Sequence, residues 1–295
     1  MQGKIIKGVG GFYYVHLHHN RIYECKAKGI FRNQNIKPAV GDDVIIDIIS
    51  EEKHTGNIID ILPRKNLLIR PAVANVDQGV IIFALAQPKP NFNLLDRFLI
   101  MMDRQEVKTI ICLNKGDLVD SDYANEIKNI YTKSGYQVII TSVTSPAFKE
   151  GISKLGELIE GRTSVFAGPS GVGKSSIINL FNPMAGAKTG EISEKIKRGK
   201  HTTRHSELMW IKEDTYIMDT PGFSSLYVND MEEQELKNYY NEFIPCQRNC
   251  RFNGCAHINE PDCGVKLAIE QGKISSLRYD NYVQLYHEIK DKRRW

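Results

Sequence analysis

The sequence predicts a multi-domain protein in three parts: an N-terminal β-barrel, a central α/β domain built on a parallel sheet, and a mostly helical C-terminal module. Three observations carry this. Short β-prone runs with little helical periodicity fill residues 1–65. Apolar runs alternate with amphipathic stretches from about residue 76. After about residue 231 the strands stop and cysteines cluster.

Within the first part, Tyr13–Leu17 and Ile22–Cys25 favour β-prone types. Val44–Ile49 follows the Gly41-Asp42-Asp43 turn, and Gly56–Leu62 closes the set. Several strands in so short a stretch suggest a small barrel. Arg64 to Pro71 reads as a connector. Gly79–Leu85, Thr109–Leu113, Val138–Ile140 and Ser164–Ala167 then read as buried strands, with helices at Leu94–Arg104, Ala124–Lys133 and Ile152–Glu160. That alternation implies a parallel sheet covered by helices on both faces. Helical stretches at Glu232–Tyr240 and Ser275–Lys290 flank the Cys-rich segment. The expected domains are 1–65, 66–228 and 229–295.

Composition sets outer limits. Hydrophobic residues at 41% and charged residues at 25% supply a core and a solvated surface. No window approaches the roughly 18 uncharged apolar residues of a membrane span. The start, MQGKIIKGVGGFYY, lacks the apolar core of a secretion signal, so a cytoplasmic protein without a membrane partner is expected. The net charge of +4 is too small to argue for a nucleic-acid partner by itself. Its distribution says more, because Lys188, Lys195, Lys197, Arg198, Lys200 and Arg204 face only Glu191 and Glu194 within residues 188–205. Four of the six cysteines (Cys246, Cys250, Cys255 and Cys263) fall close together, which favours metal over disulfides in such a chain.

Three motifs carry nucleotide chemistry. Gly168-Pro169-Ser170-Gly171-Val172-Gly173-Lys174-Ser175 fits the phosphate loop and lies between the strand Ser164–Ala167 and a helix opened by Ser176. Glycines there let backbone N–H groups converge on phosphate oxygens, Lys174 reaches the β- and γ-phosphates, and Ser175 suits Mg²⁺. Asp219-Thr-Pro-Gly222 follows the strand Thr215–Met218; its acid suits a Mg²⁺-linked carboxylate and its glycine an amide facing the γ-phosphate. Asn114-Lys115-Gly116-Asp117 follows the strand Thr109–Leu113. A carboxylate such as Asp117 accepts from guanine N1–H and the exocyclic amine, whereas adenine offers no such paired donors. The motif therefore opposes an ATPase or a small-molecule kinase. Ser142, after Val138–Ile140, is a candidate for contacting the guanine O6. Most GTPases carry the phosphate loop first and the base motif near the end. Here the base motif and Ser142 come first, so the order is circularly permuted, a rewiring that neighbouring domain termini tolerate.

With these motifs in this order the sequence resembles the bacterial circularly permuted GTPases of small-ribosomal-subunit biogenesis, the RsgA (YjeQ/YloQ) family, over the whole chain. The resemblance implies an OB-fold for the barrel, with RNA binding. It further implies weak intrinsic GTP hydrolysis stimulated by the small (30S) subunit, hydrolysis-coupled release, and a role in late 16S rRNA maturation, with other late assembly factors as partners. It implies GTP, Mg²⁺ and one structural Zn²⁺. The family's zinc ligands carry over onto Cys250, Cys255, His257 and Cys263, a three-thiolate, one-imidazole set that closes a tetrahedral shell and leaves Cys246 outside.

The segment Arg198–Arg204 resembles the family's G-x-H-T-T switch, which gives Thr203 to Mg²⁺ and the γ-phosphate. Phe223 follows the DTPG motif where many GTPases hold a water-orienting Gln, and a phenyl ring cannot polarise water. His201 is the candidate to orient or accept from the attacking water, with His205 a second choice. In the barrel, His16, His18 and His19, with Tyr13, Tyr14 and Tyr23 as stacking rings, are candidates for touching rRNA. The rival to a turnover enzyme is a GTP-dependent checkpoint, in which occupancy of the subunit is the function. A monomer is expected.

Overall fold

Period-two burial in the first part closes into a barrel. In the computed structural model, which describes residues 1–17, 21–29, 31, 36–69, 71–182, 207–220 and 231–292, the strands are β1 (Gln2–Val9), β2 (Phe12–Leu17), β3 (Arg21–Ala27), β4 (Asp43–Ser50) and β5 (Thr55–Ile61). They run in the closed order β1-β2-β3-β5-β4. The β3–β5 pair is parallel and the other neighbours are antiparallel. This is the five-stranded OB arrangement. Val44, Ile46 and Ile58 point inward with Ile5, Val15 and Tyr23, while Asp47, Ile59 and Asp60 face outward. β1 is absent from the sequence prediction because Gly3, Lys4, Lys7 and Gly8 break its apolar pattern.

The chain divides into two compact units, residues 1–79, 155–167 and 174–221 in the first and 80–154, 168–173 and 222–295 in the second. The first holds the barrel, a short hairpin of β6 (Leu67–Leu68) and β7 (Val73–Ala74), and later strands. The second contains most of β8 (Gln78–Ala84), with β9 (Thr109–Asn114) and β10 (Gln137–Ile140), ordered β10-β9-β8. β9 and β10 are parallel and β8 and β9 are buried throughout, as the apolar runs predict. In the first unit β11 (Thr163–Ala167) runs parallel to β13 (Thr215–Asp219), and β12 (Leu208–Lys212) pairs antiparallel with β13. β12 is a strand the sequence reading omits.

Two of the second unit's helices begin at side-chain caps. Asn91 accepts from the Leu94 amide at the start of α1 (Phe92–Asp103), and Asp120 from the Tyr123 amide at the start of α2 (Ser121–Lys133). α3 (Lys149–Ile159) leads toward β11, and α4 (Lys174–Phe181) follows the phosphate loop. The C-terminal module contains α5 (Ile244–Gln247), α6 (Gly264–Glu270) and α7 (Ser276–Lys292). The helix expected over Glu232–Tyr240 is instead a 3₁₀ turn at Leu236–Tyr239 and a second at Asn241–Phe243. Tyr240 leaves the helical region at φ −108°, ψ 83°, and Pro245 opens a new helix. This lets Leu236, Tyr240 and Phe243 all enter the core.

A buried polar seam fastens α7 to α1. Asp96 accepts from Arg278 Nη1 at 2.5 Å, Asn281 Nδ2 at 2.7 Å and the Tyr131 hydroxyl at 3.1 Å. Glu242 accepts from Arg278 Nε at 2.8 Å. Burial opposes charge on Arg278, but Asp96 and Glu242 outweigh it and hold the guanidinium well above its ordinary range. Farther along, Arg97 forks onto Glu288. Among the described residues no helix is long and apolar enough to cross a membrane.

Candidate nucleotide site and Cys/His cluster

The base motif and residues 168–173 of the phosphate loop lie together in the second unit. Gly168 has φ 154°, and a Cβ there would sit 2.1 Å from the Ile82 carbonyl oxygen, so only glycine lets the loop leave β11 this close to β8. Gly173 has φ 92°, and its Cβ would meet Asn114 Nδ2 at 2.4 Å. Asn114 is 2% exposed. Its Nδ2 donates to the Val172 carbonyl at 2.8 Å, and its Oδ1 accepts from Thr141 Oγ1 at 3.1 Å. Lys115 takes a left-handed backbone at φ 59°, which sends its ammonium back to the carbonyls of Gly171, at 2.8 Å, and Gln87. Asn114 and Lys115 thus brace the loop 168–173.

Asp117 is exposed within the 3₁₀ turn Gly116–Leu118. The Ser142 hydroxyl is the main influence holding its carboxyl below the usual aspartate range, with burial opposing. Its own amide, Thr144 and the Lys115 charge add to the lowering. Ser142 itself is buried, and its Oγ accepts from the amides of Thr144 and Ser145 at 3.2 and 3.1 Å. Its role in this structure is to brace the 142–145 turn. Pro169 is half-buried, while Ser170 and Gly171 are exposed at the loop's crest.

In the first unit, Lys174 opens α4 and is 8% exposed, with its Nζ 2.6 Å from Asp219 Oδ1 at the end of β13. The hydroxyl and amide of Thr220 both donate to the Phe166 carbonyl, fixing the chain after Asp219. Ser175 and Ser176 are exposed on the first turn of α4. The switch segment 188–205 with His201, Thr203 and His205, the residues Gly222 and Phe223, and His18 and His19 lie outside the described residues.

Two barrel candidates are corrected by the fold. Tyr23 is 0% exposed in the barrel core and donates to Glu51, so its ring offers no stacking face. His16 is 5% exposed, with Nδ1 2.8 Å from the Tyr216 hydroxyl. Alternation turns Tyr23 into the barrel with Val15 and Leu17, and it sends His16, between those two, to the outer face, where Tyr216 and Trp210 cover it. Tyr13 and Tyr14 are half-buried, the latter donating to Glu24.

The C-terminal cluster is compact. One donor atom each from Cys250, Cys255, His257 and Cys263 lies within 4.8 Å of the others. Cys250 Sγ and Cys263 Sγ are 4.0 Å apart, too far for a disulfide, and His257 Nδ1 is 3.3 Å from Cys263 Sγ. Burial pushes the Cys255 thiol up to about 12 and the Cys263 thiol upward, and pulls His257 down to about 4. The imidazole is therefore neutral, the form that binds metal. The buried sulfurs need a cation to become thiolates, and this donor set suits Zn²⁺. The Gly264 amide donates to Cys250 Sγ at 3.3 Å, Tyr279 and Tyr282 donate to the carbonyls of His257 and Ala256, and Glu260 accepts from the amides of Ala256 and Ile258. These second contacts hold the ligand loop in shape. Cys246 stands outside the four and turns its carbonyl toward Gly264.

Comparison with known proteins agrees with this geometry. The family model described as RsgA GTPase matches residues 61–229, and that of the RsgA N-terminal domain matches residues 2–58. A protein of Agathobacter rectalis named small ribosomal subunit biogenesis GTPase RsgA is 55% identical, with both chains covered in full. The crystal structure of YloQ, titled a circularly permuted GTPase, superposes with a TM-score of 0.77 at 38% identity, covering 99% of this chain and 95% of that one. YjeQ from Thermotoga maritima gives 0.79 at 37% identity, with 98% of each chain covered. A barrel, permuted nucleotide motifs and a Cys/His module in one polypeptide, matched over its length by these relatives, make this chain a member of the RsgA GTPase family.

Proposed function

We propose that this GTPase acts in biogenesis of the small ribosomal subunit in the cytoplasm. It binds the 30S particle and 16S rRNA alongside other late assembly factors, and hydrolysis stimulated by the subunit releases it. What supports the nucleotide reading is the pair of ties from Asn114 and Lys115, in the base motif, to the loop 168–173. We assign residues 1–65 to RNA binding, 66–228 to the G domain and 229–295 to zinc binding, in a monomer.

In this reading the backbone N–H groups of Gly168, Ser170, Gly171, Val172, Gly173, Ser175 and Ser176 cradle phosphates, Pro169 having none to offer and shaping the loop instead, and Lys174 neutralises charge between the β- and γ-phosphates. Ser175, Asp219 and Thr203 would hold Mg²⁺; an exposed hydroxyl at the start of α4 and a half-buried carboxylate at the end of β13 fit that ion. Bound there, Mg²⁺ neutralises the charge that develops on the phosphates. Gly222 offers an amide to the γ-phosphate, and His201 orients the attacking water. The Cys250, Cys255, His257 and Cys263 set would hold a structural Zn²⁺, since four ligands leave no open position.

The test is steady-state GTP hydrolysis by the purified chain, alone and with small or large subunits at fixed salt. Stimulation by the small subunit alone supports the proposal, whereas nucleotide-dependent binding without stimulation supports a checkpoint instead. Lys174→Ala is expected to abolish turnover; unchanged turnover would overturn the site assignment.

A further inference from the structure

The turn after β10 holds a hydroxyl pair, Ser142 and Thr144, of which the nucleotide assignment uses only Ser142. Thr144 is exposed, and among the described residues its hydroxyl meets only Ser142 and Asp117. It lies 3.1 Å from Asp117 Oδ2 and 3.1 Å from Ser142 Oγ. Because Ser142 Oγ already accepts two amides, its own proton is directed at the Thr144–Asp117 pair.

An exposed aspartate otherwise rotates freely, and ordering it when the base arrives costs binding free energy. We propose that Thr144 is a positioning residue for guanine recognition, holding the Asp117 carboxylate in the orientation that the base's N1–H and exocyclic amine require. The inference rests on the reading of Asn114–Asp117 as the base-selecting element. Each carboxylate oxygen has two acceptor sites, so Thr144 occupies one on Oδ2 and leaves the other, with both on Oδ1, open to other donors. Thr144 contributes nothing to a core, so losing its hydroxyl leaves the fold intact. The hydroxyls also favour the ionised carboxylate, in line with the lowered range of Asp117.

The test is a binding cycle by calorimetry in Mg²⁺ buffer, with GDP and xanthosine diphosphate as probes. The chains compared are the unaltered protein, Thr144→Val, Thr144→Ser, Asp117→Asn and the Asp117→Asn/Thr144→Val double variant. Thr144→Val is expected to weaken GDP about tenfold, the scale of one hydrogen bond to a charged group. Thr144→Ser is expected to restore binding to within about twofold, since the hydroxyl is what acts. In the Asp117→Asn background the same Thr144→Val change is expected to alter GDP binding by less than about twofold, because the carboxylate it positions is gone. Equal weakening in both backgrounds, or no weakening in either, overturns the proposal. If Asp117→Asn keeps its preference for GDP over xanthosine diphosphate, the guanine reading itself fails and takes the proposal with it.

Discussion

The barrel and the α1–α7 seam bury their contacts by opposite means. The barrel core is aliphatic and aromatic, with Ile5, Val15, Val44 and Ile58 each 0% exposed. The seam is built on Arg278, 1% exposed, against Asp96, 0% exposed, and Glu242. An apolar core loses stability in proportion to the volume removed. A buried charge cluster loses it abruptly, because each missing partner strands another ion. The seam therefore tolerates less change per atom, although it need not contribute more to the folded state.

The sharpest way to break that contrast is Arg278→Ala. It leaves Asp96 and Glu242 buried without their cation and is expected to cost about 3–5 kcal/mol, read by denaturant unfolding. Ile58→Val in the barrel removes one methylene and is expected to cost only about 1 kcal/mol in the same assay. A result that reversed this order would show the seam to be hydrated in solution.

The smallest effect concerns the seam's outer end. Arg97, chiefly, and Lys292 hold the Glu288 carboxyl down at about 2, below its ordinary 4.5, with burial opposing. Because the folded value is the lower one, the contribution is present above about pH 4.5 and lost as pH falls toward 2. Glu288 is partly exposed, so the amount is under about 1 kcal/mol. The stability difference between the unaltered chain and Glu288→Gln should be flat above pH 5 and close within that acid window, as acid unfolding series would record.

The same contrast explains what the sequence discloses. The barrel strands announce themselves by alternation, and β8 and β9 by unbroken apolar runs. The phosphate loop, the base motif and the Cys/His cluster announce themselves by residue type and spacing. β1 and β12 do not, since glycines and lysines in one and the half-exposed Met209 and Trp210 in the other blur the period. The seam is also silent. Nothing local marks Arg278 as buried, because its partners lie on α1 and before α5, and only the fold brings them together. Thr144 escapes notice for a similar reason: one hydroxyl in a turn has no pattern, and its partner Asp117 is 27 residues away.

The pairing of Asp96 with Arg278 spans 182 residues and so fixes a schedule for biosynthesis. A growing chain makes Asp96 182 residues before its counter-cation, an interval of roughly 10–40 s at about 5–20 residues per second. Through that interval the carboxylate must stay hydrated, which keeps α1 from settling against the rest of its unit. Docking of α1 thus waits on synthesis of α7.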